Sequence, residues 1–150
     1  MKVNIEIASK NNFEEVVYML ESLYLELGEE RESIEFLNIS LIESITKDGN
    51  TLILKATSTN DEILGILCLS EAQAIYAGGN YGIVNDMYVY PQYRSKYIGK
   101  KLIEKAKELA KEKNWKRIEV TAPTSENKKT IDFYKKNEFV FTGPKMKWKT

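Results

Sequence analysis

Residues 86–103 read DMYVYPQYRSKYIGKKLI, and they pass from an apolar strand through a proline stop and a short basic turn into an amphipathic helix. The turn RSKYIG at 94–99 leaves the first N–H groups of that helix without intrahelical partners, and the positive end of the helix dipole points the same way. A strand, turn and helix in this order form an anion cradle, so a phosphate group is expected at the turn.

Outward from this stretch, the periodicities place further elements. Residues 2–8 alternate apolar and polar as a half-buried strand does. Asn11 or Asn12 can cap a helix that carries Phe13, Val16, Val17, Leu20, Leu23, Tyr24 and Leu27 on one face and stops at Gly28. A second helix is predicted over 31–47, ending in the turn Asp48-Gly49-Asn50. Strands are expected over 51–57 and 62–70, joined by the hairpin chemistry Ser58-Thr59-Asn60-Asp61, with a loop over 71–80. A fourth strand, 81–89, precedes the helix 98–113, whose buried side carries Ile98, Leu102, Ala106, Leu109 and Ala110. Residues 117–121 read as a fifth strand. Thr124 or Ser125 then caps a helix to about residue 136, and short strands over 139–142 and 146–149 close the chain. The fourth and fifth strands with the helix between them make a right-handed crossover and so run parallel. The result is an α/β (α+β) fold with helices on both faces of a mixed sheet, in a single domain over 1–150.

Composition narrows the function. The chain has 150 residues and no histidine, which removes imidazole-based catalytic triads and every histidine-containing zinc site. Cys68 is the only cysteine; it forms no internal disulfide, and its apolar setting reads as a buried strand. No apolar run approaches the roughly 18 residues of a membrane span, and the N-terminus lacks the core of a signal peptide. A cytoplasmic protein without a membrane partner is expected. Residues 1–93 hold 5 Lys+Arg against 15 Asp+Glu, while 94–150 hold 17 against 7. Such asymmetry suits a polyanion on the basic half and a cation near the acidic half, although lysines also serve as the solvated faces of helices. A nucleic-acid partner is not expected, because the lysines of the 98–113 helix alternate with Glu104, Glu108 and Glu112.

Two motifs together resemble the GNAT acetyltransferase superfamily. The family's R/Q-x-x-G-x-G/A turn is matched by Arg94-Ser95-Lys96-Tyr97-Ile98-Gly99, and an asparagine some seven residues before a Phe-Tyr pair is matched by Asn127 and Phe133-Tyr134. The resemblance spans almost the whole chain and implies a GNAT fold of about seven strands and four helices, with splayed fourth and fifth strands. It implies acetyl-CoA as cofactor. Met87, Tyr88 and Val89 would offer backbone partners to the pantetheine arm, and amides of Arg94, Ser95, Lys96, Tyr97, Ile98, Gly99 and Lys100 would hold the diphosphate. Arg94 and Lys96 would add charge, and Asn127 would bond the arm.

The same resemblance implies transfer of an acetyl group by direct attack of an amine. An alkylammonium has a pKa of about 10.4, so a proton must leave to a base. By resemblance, Tyr134 protonates the departing thiolate, and an amide near Tyr88 supports the developing oxyanion. Three departures from the pattern matter. Tyr97 stands where the family has glycine, and anion binding there is expected to survive if its φ is negative. Asn85 stands where many relatives carry a carboxylate, and it cannot act as a base. Asp86 is then the first candidate base if a bulge turns it inward, with Glu71 or water held by Asn85 as the other routes. Glu138 replaces a helix-terminal glycine, and Asn137 is expected to adopt the left-handed conformation. The acidic segment around Glu26, Glu29, Glu30, Glu32 and Glu35 favours a cationic small-molecule or peptide amine as acceptor. A catalytically weak acyl-CoA sensor is the alternative. The family's dimers imply that a homodimer can form through an edge strand near the C-terminus.

Overall fold

The computed structural model describes residues 2–122 and 127–150. The chain divides into two compact units, 1–119 and 120–150. In the first, β1 (Asn4–Ile7) leads through a 3₁₀ turn to α1 (Phe13–Glu26), and α2 (Ile39–Thr46) follows a second 3₁₀ turn at Arg31–Ile34. Then come β2 (Thr51–Thr57), β3 (Ile63–Ala74), β4 (Gly79–Val89), α3 (Ile98–Glu112) and β5 (Ile118–Val120). The five strands form one sheet in the order β1-β2-β3-β4-β5, with the first four antiparallel in succession.

α1 and α2 cover one face. Their contact is a cluster of Phe13, Val16, Met19, Leu20 and Ile42 with Ile53, Ile66, Cys68 and Tyr88 of the strands. α3 covers the other face, burying Ile98, Leu102, Ile103, Ala106 and Ala110. Leu54 and Leu67, paired across β2 and β3, are fully buried there, each worth about 2 kcal/mol of transfer free energy. Because both faces are covered, Ile63 through Leu69 is a continuous buried run rather than an alternating one.

Several expectations are corrected. The 31–47 helix is broken, because the Asn38 side chain accepts the Leu41 N–H at 2.8 Å and starts a new helix. The 71–80 loop is instead the tip of a long hairpin, since the ladder continues through Ala74 opposite Gly79. Gly78 and Gly79 supply the positive φ values, +77° and +122°, that the turn requires.

In the second unit α4 (Lys128–Lys136) is capped by Asn127, whose Oδ1 accepts the Thr130 N–H at 3.3 Å. The expected caps Thr124 and Ser125 lie outside the described residues. α4 ends in a six-residue capping motif: Phe139 N–H donates to Tyr134 O and Glu138 N–H to Lys135 O, both at 3.0 Å. The left-handed position is Glu138 at φ +74°, whereas Asn137 keeps φ −97°. Asn137 is held there because its Nδ2 donates to Phe133 O at 2.8 Å. The strands expected over 139–142 and 146–149 are not formed; the segment carries exposed Val140, Phe141, Met146 and Trp148. Alternation alone makes no strand without a ladder partner.

Candidate active site

One part of the candidate site is built from the end of β4, the bend and the first turn of α3. The first intrahelical bond of α3 runs from Lys101 N–H to Tyr97 O at 3.0 Å. Among the described residues, the N–H groups of Ser95, Lys96, Tyr97, Ile98, Gly99 and Lys100 donate to no other group. Ser95 and Tyr97 both have φ +64°, while Lys96 between them does not have positive φ. Such alternation turns successive amides toward one concavity, a nest suited to an anion, at the positive end of a 15-residue helix. Tyr97 therefore has a left-handed backbone, so the negative φ on which the expectation depended is not met and the position is strained. Tyr97 is 74% exposed. Lys96 and Lys100 are exposed, with no ion pair among the described residues. The donor set of this bend fits a diphosphate.

β4 presents the second set of donors. Tyr90 N–H donates to Leu64 O on β3 at 3.0 Å, and hydrogen-bonded pairs recur at every second residue of an antiparallel ladder. Tyr88, paired with Ile66, therefore turns its N–H and C=O to β3. Met87 and Val89 turn theirs to the opposite edge. The amide expected near Tyr88 for an oxyanion is thus that of Met87 or Val89. Val89 O is already held by Arg94 Nε at 2.8 Å. The Arg94 guanidinium also donates to both carboxylate oxygens of Glu26, at 3.0 and 3.1 Å, and lies 5.3 Å from the Tyr88 ring centre. Its expected charge is therefore paired within the protein.

The α1-facing side of β4 holds a group of polar side chains. Cys68 pairs with Asp86, yet the next residue, Leu69, pairs with Val84. Asn85 is the extra residue of a β-bulge. Because Cys68 and Leu69 face opposite sides, the bulge puts Asp86 on the α1 face and Val84 on the α3 face, although they are two residues apart. Asn85 stays on the α1 face as well, where its Nδ2 donates to Ser70 Oγ at 2.6 Å, and Ser70 Oγ lies 2.9 Å from Thr51 Oγ1. Burial raises the Asp86 pKa above the ordinary carboxylate value, and the neighbouring Tyr24 hydroxyl opposes that rise. Burial, and next the Asp86 charge, push the Tyr24 hydroxyl and the Cys68 thiol upward. Both therefore stay protonated. Glu71 is no base on this face: it pairs with Gly82, points to the α3 side and accepts Trp115 Nε1–H at 2.5 Å.

In the second unit Tyr134 is buried between Phe133 and Phe139, with ring centres at 5.2 and 5.5 Å and both rings edge-on. Sequence reasoning does not single out Tyr24 and Ser70 as site residues. Tyr24 reads in sequence as one more apolar position of α1, and only adjacent polar Asn85-Asp86 inside an apolar strand signals the bulge.

A five-stranded mixed sheet with α1 and α3 on opposite faces and a bend of unpaired amides after β4 defines an α/β fold. The model of the acetyltransferase (GNAT) family matches residues 13–139, and the chain belongs to that family of acetyltransferases. Solved structures share the fold. A transcriptional regulator from Bacillus halodurans C-125 superposes with a TM-score of 0.81 at 23% identity, covering 98% of this chain and 100% of its own. A predicted acetyltransferase with acetyl-CoA from Clostridium acetobutylicum gives 0.82 at 18% identity, covering 99% and 96%. An aminoglycoside acetyltransferase from an uncultured soil metagenomic sample, in complex with sisomicin, gives 0.79 at 17%, covering 99% and 95%. Comparison with curated proteins finds no match. Among the described residues no helix is long and apolar enough to cross a membrane, and no cluster of acidic or cysteine side chains is placed to hold a metal ion.

Proposed function

We propose that this protein transfers the acetyl group of acetyl-CoA to a primary amine of a cationic small molecule or peptide. The observation that carries the reading is the 95–100 bend, whose amides are turned into one concavity and left without partners among the described residues. When bound there, acetyl-CoA supplies the activated thioester carbonyl. The amides of the bend, with Lys96 and Lys100, hold its diphosphate, and the edge groups of Met87 and Val89 N–H bond its arm. By motif position Asn127 joins them.

Asp86 receives the proton of the acceptor ammonium, directly or through water. Its raised pKa brings it nearer to neutrality than an ordinary carboxylate and so improves it as a base near neutral pH. Asn85, fixed by Ser70, orients that water and does not accept the proton. Tyr134 Oη gives a proton to the departing thiolate, a role resting on its place in the Phe-Tyr motif. The carboxylates of Glu29, Glu30 and Glu32 after α1 are exposed and support a cationic acceptor, as does the likeness to a protein that carries sisomicin.

The test is release of free thiol from acetyl-CoA with a panel of diamines, aminoglycosides and peptides, with intact-mass detection of products. Turnover with a cationic amine is expected, and Tyr134→Phe lowers kcat about 100-fold with the CoA Kd retained. Binding of CoA without thiol release for any acceptor refutes transfer and identifies a sensor of acyl-CoA.

A further inference from the structure

Arg94 opens the sequence motif that marks the cofactor turn, yet its side chain is spent inside the protein. Nε donates to Val89 O at 2.8 Å, the terminal nitrogen bridges both oxygens of Glu26 at 3.0 and 3.1 Å, and the guanidinium plane lies over the Tyr88 ring at 5.3 Å. The three partners sit on two elements, since Glu26 ends α1 while Tyr88 and Val89 end β4. Donation from Nε to one acceptor and from a terminal nitrogen to another, with the guanidinium set over an aromatic ring, uses the planar multi-donor geometry that distinguishes arginine from lysine. Set beside a carboxylate, this cation offers a phosphate less net charge than a lone lysine or arginine, although both partners remain 44% exposed.

We propose that Arg94 is a positioning residue of the acyl-CoA site rather than a phosphate ligand. Building on the acetyl-CoA reading above, it anchors the start of the 95–100 bend to the last turn of α1 and caps the free carbonyl at the end of the β4 edge. Three consequences are specific. Glu26, remote in sequence, belongs to the cofactor machinery although it carries the same sign as the diphosphate. The electrostatic attraction for the cofactor comes from Lys96, Lys100 and the helix dipole. The backbone partners that β4 offers the pantetheine arm end at Val89 N–H.

Calorimetric titration of CoA over a range of salt concentrations, with amide NMR spectra of the free protein, tests the assignment. Arg94→Gln and Glu26→Gln each weaken CoA about tenfold, the double variant is no weaker than Arg94→Gln alone, and none of the three changes the slope of log Kd against log salt. Lys96→Gln flattens that slope. Arg94→Lys rescues little, because a single ammonium replaces the two separate donors that reach Val89 O and Glu26. In the free protein the amide resonances of Ser95 to Lys100 move in both Arg94→Gln and Glu26→Gln. A flattened slope for Arg94→Gln together with tighter binding for Glu26→Gln overturns the inference and makes Arg94 a phosphate ligand. A wild-type protein that binds no CoA overturns the proposed function instead. The amide spectra then still decide the anchor, which is refuted if the bend resonances stay in place in either variant.

Discussion

Replacing Tyr97 by glycine stabilises the protein. Tyr97 sits at φ +64°, ψ +12°, a conformation that costs a residue with a Cβ about 1–2 kcal/mol. Glycine removes this penalty but brings about 0.5–1 kcal/mol of extra freedom to the unfolded chain. The ring is 74% exposed, so little apolar burial is lost with it. The net gain is about 0.5–1 kcal/mol, which at a urea slope of about 2 kcal/mol/M raises the denaturation midpoint by a few tenths molar. Urea unfolding of a series separates backbone from side-chain effects: Tyr97→Ala retains the Cβ and leaves the midpoint near wild type, Tyr97→Asn lies between, and Tyr97→Gly is highest. Because the N–H is kept throughout, the CoA Kd stays within about twofold across the series. A glycine variant no more stable than the alanine variant refutes the reasoning, since it means that the left-handed backbone carries no strain to release.

Further outcomes follow from the same geometry. Asp86 has a folded pKa above its unfolded value, so the folded state holds this proton more tightly, and stability from this group falls as pH rises from the ordinary carboxylate range through the raised value. Asp86→Asn therefore flattens the fall in a pH series of unfolding free energies, and lowers kcat/KM about 100-fold or more. Tyr24→Phe removes the hydroxyl that lowers this pKa and moves the acidic limb of the kcat/KM profile to higher pH; a limb that stays in place means Asp86 is not the titrating base. Gly82→Ala drives a Cβ into ring carbons of Trp115, well inside contact distance, and destabilises by about 1–3 kcal/mol in thermal unfolding. Glu138→Gly relieves the φ of +74° at the end of α4 and raises the urea midpoint by an amount similar to Tyr97→Gly.

Much of this molecule is legible in one dimension. The strand, basic turn and amphipathic helix of residues 86–103 locate the anion nest, because helix termini expose N–H groups wherever a helix begins. The periodicities of α1 and α3 are local properties of spacing, and they mark most of the buried side chains. The same local logic misplaces the break at Asn38, where a side-chain cap competes with helix continuation, and the end of the 71–80 segment, where pairing across the hairpin overrides loop-like composition. The strands expected after Phe139 show the limit from the other direction, since an alternating pattern becomes a strand only when another strand accepts its hydrogen bonds.

What sequence by itself determined is the class of fold and the location of the bend with unpaired amides, both consequences of backbone chemistry within a few neighbouring residues. Tertiary structure alone decided which polar groups share the α1 face and which cation is paired with a carboxylate. A single inserted residue in β4 carries Asp86 to the α1 face, and a contact across 68 positions of chain takes Arg94 to Glu26. Neither follows from spacing, because the facing of a strand residue depends on its register with a partner strand, and the net charge offered to a ligand depends on neighbours that only folding brings together.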